Sequence, residues 1–212
     1  MEGMQESIET FESGFSDDLD SSPELEQNSD MPAFLVQGLI ERDPNAASMF
    51  HQKYGRLISQ LVWRLLGADS EHDDVVHQVY VNILESIKSL RTPDSLKSWI
   101  TGVVINTVRR EIHRRRFRRL FHFVPDYSNN EVAASTPEKG VAIRRFYELV
   151  EKIGVERRIV LLLNLMEGYT LNEIASMCQI SVPTAKRRFQ SGKKLLYELA
   201  KNEPLFTEWV KE

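Results

Sequence analysis

Cysteine is nearly absent: Cys178 is the single thiol in 212 residues. One cysteine excludes an intrachain disulfide framework and leaves no thiolate set for a zinc site, so a reducing, cytoplasmic setting is expected. Long apolar runs are missing too. The stretch Ile159 to Leu165 is interrupted by Asn164 and falls far short of the roughly 18 residues that span a bilayer, so no membrane insertion is expected. The chain does not open on a basic region followed by an apolar segment, which gives no secretory signal to expect. The histidines, His51, His72, His77, His113 and His122, show no metal spacing with carboxylates. Neither a nucleophile–base set nor a phosphate-cradling glycine loop is present, so no catalytic residues, no metal and no cofactor are expected. Strand-like alternation never lasts beyond a few residues, and there is no internal repeat.

Positive charge is missing from one place. Residues 1–30 carry ten acidic side chains and no Lys or Arg, a charge of −10. The remainder holds 27 basic and 21 acidic residues, which gives +6, so the overall −4 averages an acidic tail with a basic body. The tail is rich in Ser, Glu and Asp without periodicity, a composition that predicts disorder. It reads either as a solubilising segment or as a nucleic-acid mimic competing for the basic surfaces.

From Met31 onward the pattern is helical. Pro32 to Glu41 makes a short helix, and Asp43 followed by Pro44 reads as cap and first residue of a long one. That second helix places Ala47, Phe50, Tyr54, Leu57, Ile58, Leu61 and Leu65 at core spacing and stops at Gly67. Ser70 with Asp73 resembles a capping box for a third helix, whose stripe is Val75, Val76, Val79, Tyr80, Ile83, Leu84 and Ile87. Arg91 to Asp94 is a loop around Pro93. Ser95 then caps a fourth helix with Leu96, Trp99, Ile100, Val103 and Val108 inward. The helix runs into Arg109–Arg119, where seven Arg and one Glu give +6, a charge able to neutralise several phosphates. Turn-forming residues mark 120–140 as a linker, and helical pattern resumes near Val141. The expected fold is all-α: an acidic tail (1–30), a helical domain (31–119), a flexible linker (120–140), a second helical domain (141–202) and a C-terminal tail (203–212).

Within the second domain Thr170-Leu171-Asn172-Glu173 has capping-box form, a short helix follows, Cys178-Gln179-Ile180 makes a tight connection, and Ser181 caps the next helix. This is a helix-turn-helix, whose second helix enters the major groove. Between Ile174 and Tyr197 there is no acidic residue, while Lys186, Arg187, Arg188, Lys193 and Lys194 are basic. Val182, Ala185, Phe189, Leu195, Leu196 and Leu199 can face inward. Ser181, Pro183, Thr184, Lys186 and Arg187 lie at the end where base edges are reached, with Arg188 and Lys193 placed for phosphates.

Two ordered stretches carry a family resemblance. Asp73 to Tyr80 (DDVVHQVY), a Pro-containing loop and Ser95 to Arg110 (SLKSWITGVVINTVRR) resemble the promoter-reading domain of extracytoplasmic-function (ECF) sigma factors. Gly168 to Ala175 (GYTLNEIA) and Ile180 to Arg188 (ISVPTAKRR) resemble their second domain. The resemblance spans about residues 33–200. It implies a dissociable subunit of bacterial RNA polymerase whose first domain binds the polymerase clamp and the -10 element and whose second binds the -35 element. It implies core RNA polymerase, promoter DNA and an anti-sigma factor as partners, with no covalent chemistry performed by the subunit. By the same resemblance, Asp74, His77, Gln78 and Asn82 form a polymerase-binding face, where His77 and Gln78 replace the family's usual Gln and Glu. Asn106 is the candidate for an unstacked -10 base, with Ser95, Leu96 and Lys97 as pocket edge and Arg109 and Arg110 at the element's upstream side. Trp99 reads as core. Two other readings stay open: an operator-binding helix-turn-helix regulator, and a sigma-like adaptor that binds polymerase or an anti-sigma factor without reading promoters.

Overall fold

The computed structural model describes residues 31–67, 71–121 and 137–206, and every regular element among them is helical. The helices are α1 (Met31–Glu41), α2 (Pro44–Leu66), α3 (His72–Ser86), α4 (Leu96–Phe121), α5 (Pro137–Glu151), α6 (Val155–Leu165), α7 (Leu171–Met177) and α8 (Val182–Ala200), with short 3-10 turns at Ile87–Ser89, Pro93–Ser95 and Pro204–Phe206. They fall into two compact units, α1 to α4 in the N-terminal one and α5, α6, α7 up to Ser176 and α8 in the C-terminal one. None of the described helices is long and apolar enough to cross a membrane. Both edges of the expected linker are helical, since α4 continues to Phe121 and α5 begins at Pro137. The acidic tail and residues 122–136 lie outside the described residues.

In the N-terminal unit, α1 turns into α2 through Arg42 at φ 61, and the Asp43 amide donates to the Gly38 carbonyl at 2.9 Å. Asp43 caps α2 as its type predicts, its carboxylate accepting from the Asn45 amide at 2.9 Å, and Pro44 fills the first turn. The two helices approach so closely that a methyl on Gly38 would overlap the methyl of Ala46. Helix α2 buries Ala46, Phe50, Tyr54, Ile58, Leu61, Val62, Leu65 and Leu66. Ala47 is exposed, so the stripe passes one residue earlier than the spacing suggested. Gly67 ends the helix at φ 80, its amide donating to Trp63 O at 2.7 Å.

Helix α3 has Glu71 at its cap position, where its side chain makes no capping bond; Ser70, the expected cap, lies outside the described residues. Val75, Val79, Ile83 and Ile87 form its buried row, whereas Leu84 is 52% exposed and is not a core residue. The i, i+4 row alone reaches the core, and the wider stripe read from sequence took in the neighbouring face. Phe50 meets Tyr80 edge-on at 6.4 Å, and the Tyr80 hydroxyl lies 2.8 Å from Nδ1 of His51. Ser95 does not cap α4. Its hydroxyl donates backward to Thr92 O at 2.7 Å, within the 3-10 turn. Leu96, Ile100, Val104, Ile105 and Val108 of α4 are buried, with Thr101 and Thr107 beside them satisfied by bonds to Lys97 O and Val103 O. Trp99 and Val103 are half-buried at its margin.

The C-terminal unit is built around α6, whose residues Val155 and Arg158–Leu163 are all buried, an apolar rod with one guanidinium. Helix α8 packs along it at Gly192, where a Cβ would meet the Arg157 backbone oxygen at 3.4 Å and Leu161 Cβ at 3.7 Å, ordinary packing distances that leave room for a methyl. The expected C-terminal tail is partly structured. Arg145 of α5 bonds Glu203, with Nε to Oε2 at 2.8 Å, and Phe206 is 1% exposed.

Candidate nucleic-acid interface

The helix-turn-helix assembles from local rules. Gly168 at φ 67 lets the chain reverse after α6, and Asn164 Nδ2 donates to Tyr169 O at 2.9 Å to hold the reversal. Thr170 and Glu173 form the predicted capping box. The Thr170 amide and hydroxyl donate to Glu173 Oε2 at 2.8 and 2.7 Å, and the Glu173 amide donates back to Thr170 Oγ1 at 3.3 Å. The Thr170 hydroxyl, and then its amide, hold the Glu173 carboxyl below the usual glutamate range. Helix α7 ends with Gln179 in left-handed backbone at φ 55, and the Ile180 amide donates to Ala175 O at 2.9 Å, a Schellman closure. Ser181 then caps α8, accepting from the Thr184 amide at 3.3 Å.

Helix α8 has two clear sides. Ala185, Gly192 and Leu196 are buried, and Pro183, Lys186, Arg187, Gln190 and Lys194 are exposed. Ser181 is exposed beside them; Thr184 and Lys193 are half-buried on the flanks. Of the candidate base-reading residues, Ser181, Pro183, Lys186 and Arg187 therefore share one end and one exposed side of a capped helix, with Thr184 at its flank. Two assignments change. Arg188 is turned back onto α6, with Nη1 2.7 Å from Glu156 Oε2 and its side chain 25% exposed, so it braces the helix rather than reaching outward to phosphate. Val182 is 43% exposed and belongs to the outer surface, not the core. Gln190, a residue without a role in the sequence reading, stands among the exposed basic side chains; its exposed register opposite Ala185 was available from the 3.6-residue period.

In the N-terminal unit the -10 candidates separate into two groups. Ser95 and Lys97 are exposed, and Asn106 is half-buried, its Oδ1 accepting from Arg109 Nη1 at 2.8 Å. That bond fixes the amide and leaves its NH2 edge to donate. Leu96 is 1% exposed and cannot edge a pocket in this conformation, because the first turn of α4 points it into the core. Arg110 is exposed. The arginine run is less free than its charge implies. Arg114 and Arg115 bond Glu111, with Nε–O distances of 2.8 and 2.6 Å, and Arg115 also reaches Glu71 at 3.2 Å. Arg116 remains exposed, while the side chains of Arg118 and Arg119 lie outside the described residues.

On α3, Asp74, His77 and Gln78 are exposed. Asn82 is not a free member of that face: its Nδ2 donates to Thr107 Oγ1 of α4 at 2.8 Å while its Oδ1 accepts from Gln78 Nε2 at 3.1 Å. Leu84, exposed on the same helix, adds an apolar side chain that the sequence reading had placed inside.

Residues 50–118 match the family described as Sigma-70 region 2, and residues 143–196 match Sigma-70, region 4. The chain is 19% identical over 159 residues to the ECF RNA polymerase sigma factor SigX of Bacillus subtilis (strain 168), covering 70% of this chain and 80% of that protein. It is 22% identical over 168 residues to the RNA polymerase sigma-H factor of Pseudomonas aeruginosa, covering 73% and 86%. Among solved structures, CnrH in complex with the cytosolic domain of CnrY is similar in fold, with TM-score 0.58, 20% identity and coverage of 82% of this chain and 99% of that one. RpoE from Bartonella quintana, in complex with the anti-sigma factor NepR, gives TM-score 0.57 and 17% identity over 73% and 98% of the two chains. With regions 2 and 4 matched in that order, each on its own helical unit, the chain belongs to the sigma-70 family, in its ECF subfamily.

Proposed function

We propose that this protein is an alternative sigma factor that joins core RNA polymerase, recognises -35 and -10 elements and aids promoter melting. The observation that carries the reading is the ordered pair of sigma regions, the second ending in a capped helix whose outer side is basic and polar. Lys186 and Arg187, with Ser181, Pro183 and Thr184 around them, contact the -35 duplex, and Lys193 contacts its backbone. Asn106, held by Arg109, donates from its amide to an extruded -10 base. Ser95 and Lys97 flank it, and Arg110 meets the upstream phosphates. Asp74, His77 and Gln78 dock on the polymerase, with Leu84 as an apolar anchor. Asn82 contributes by bracing Gln78.

The protein acts by binding alone, in the cytoplasm, and leaves phosphoryl transfer to the polymerase. CnrH was solved in complex with the cytosolic domain of CnrY and RpoE with the anti-sigma factor NepR, and on the second of these an anti-sigma factor is proposed for this chain. Transcription in vitro with core polymerase and a genomic promoter library tests the reading. Discrete starts that require this protein are expected. Tight DNA binding without such starts would point to an operator-binding regulator, and polymerase binding without them to an adaptor.

A further inference from the structure

We propose that Gln190 is a specificity-determining residue of this protein, reading one adenine of the upstream promoter element through its side-chain amide. The inference rests on the reading of α8 as the helix that enters the major groove. Pro183, Arg187, Gln190 and Lys194 recur at i, i+4, i+7 and i+11, opposite the buried series Ala185, Gly192 and Leu196 that lies against α6. All four are exposed. Gln190 therefore stands at the middle of the outermost line of the helix, one turn beyond Lys186. That turn is about 6 Å along the axis, less than two base-pair steps of about 3.4 Å. A groove that receives Lys186 and Arg187 receives Gln190 as well.

Its chemistry differs from that of its neighbours. Lys186, Arg187, Lys193 and Lys194 offer only donors, which suit phosphate oxygens and guanine O6 and N7. Gln190 offers a donor and an acceptor in one plane, and the base edge that matches this is adenine, with N6–H donating and N7 accepting. Flanked before and after by cations able to hold the backbone, the amide is presented in fixed register, as base readout requires.

The test uses holoenzyme reconstituted from core polymerase and the full-length chain, assayed on a promoter library randomised over the upstream element. The unmodified protein is expected to prefer adenine at one position by about 5- to 150-fold, the range of one bidentate base contact. Gln190→Ala should erase the preference at that position and leave the others in place. Gln190→Glu, an acceptor-only side chain, should move it towards cytosine, whose N4 donates. Replacing that adenine by 7-deazaadenine should weaken the unmodified protein and leave Gln190→Ala indifferent. The proposal is overturned if Gln190→Ala keeps the full preference at every position, or if its loss is uniform across sequences, as for a phosphate contact. An unmodified holoenzyme that initiates at no discrete promoter would instead remove the underlying sigma-factor reading.

Discussion

Among the described residues two, Arg42 and Gln179, hold left-handed backbone without being glycine, at φ 61 and φ 55. Each closes a helix so that the chain can reverse within two residues and start the next helix at a side-chain cap, Asp43 in one case and Ser181 in the other. A side chain in this region costs roughly 1–2 kcal/mol relative to right-handed backbone. Replacing Gln179 with Gly, exposed and in the turn itself, should relieve most of that strain. The unfolded chain's added freedom offsets part of the gain. We expect a net stabilisation of about 0.5–1 kcal/mol, read as a rise of several degrees in the melting temperature of the C-terminal unit. No rise would mean that the Gln179 side chain supplies a compensating contact. Gly38 poses the opposite case. Gly38→Ala should destabilise the N-terminal unit by about 1–3 kcal/mol through overlap with Ala46. Ala46→Gly in the same chain should recover part of the loss, measured by urea unfolding of the single and double variants.

Among the elements, α7 is the shortest α-helix described and depends most on its ends. Its capping box holds the Glu173 carboxyl below the ordinary glutamate range, chiefly through the Thr170 hydroxyl. A carboxylate depressed on folding stabilises the native state above its unfolded pKa, and that contribution is lost as pH falls through the lower folded value. Thermal melts should therefore show the C-terminal unit weakening on the acid side of the normal glutamate range, and Thr170→Val should flatten this part of the profile. A profile unchanged by Thr170→Val would mean that other carboxylates carry the acid dependence; Glu203, held down by Arg145, is the leading one. Helix α3 is tested differently. Leu84 is 52% exposed, so Leu84→Asp should leave the melting temperature nearly unchanged. It should weaken core polymerase binding by roughly tenfold or more, the scale of an interfacial hot spot. Equal affinity of the two proteins would exclude α3 from docking through this residue.

Most caps and turns were legible from sequence because each is a short-range rule; Ser95, whose hydroxyl donates to Thr92 O instead of capping α4, was the exception. Asp43-Pro44, Thr170 with Glu173, and Ser181 are residue types at fixed spacing whose partners lie within a few positions. Faces were less legible. Leu84 and Val182 are apolar and lie next to true core positions, and only the partner helix decides which row is covered. Ion pairing across elements was not legible at all: Glu71 lies 44 positions from Arg115, and Glu156 lies 32 from Arg188. Pairing of this kind is why part of the arginine-rich end of α4, and one cation of α8, are committed internally although their sequence reads as open to phosphate.

At the level of the whole molecule, the charge is divided between an acidic segment of −10 and a body of +6. Residues 1–30 and the basic faces attract one another whatever path the chain takes, and DNA competes for the same cations. Removal of residues 1–30 should raise the affinity of the isolated protein for promoter duplex at low ionic strength. The gap should close near 1 M salt, where the screening length falls to about 3 Å. An affinity unchanged at low salt would leave the segment with a solubilising role only. Either unit alone is expected to bind DNA only weakly. Strong promoter binding is expected once polymerase holds both on one DNA, because the second contact is then made at high effective concentration.

The single thiol of the chain has a practical consequence. Cys178 is buried beside the turn between α7 and α8, so a thiol reagent reaches it only when that region opens. Its modification rate is thus a built-in clock for opening of the surroundings of Cys178, read without adding any label site. Slowing of that clock by one duplex and not by another would rank promoter sequences by how firmly they hold the reading helix in place.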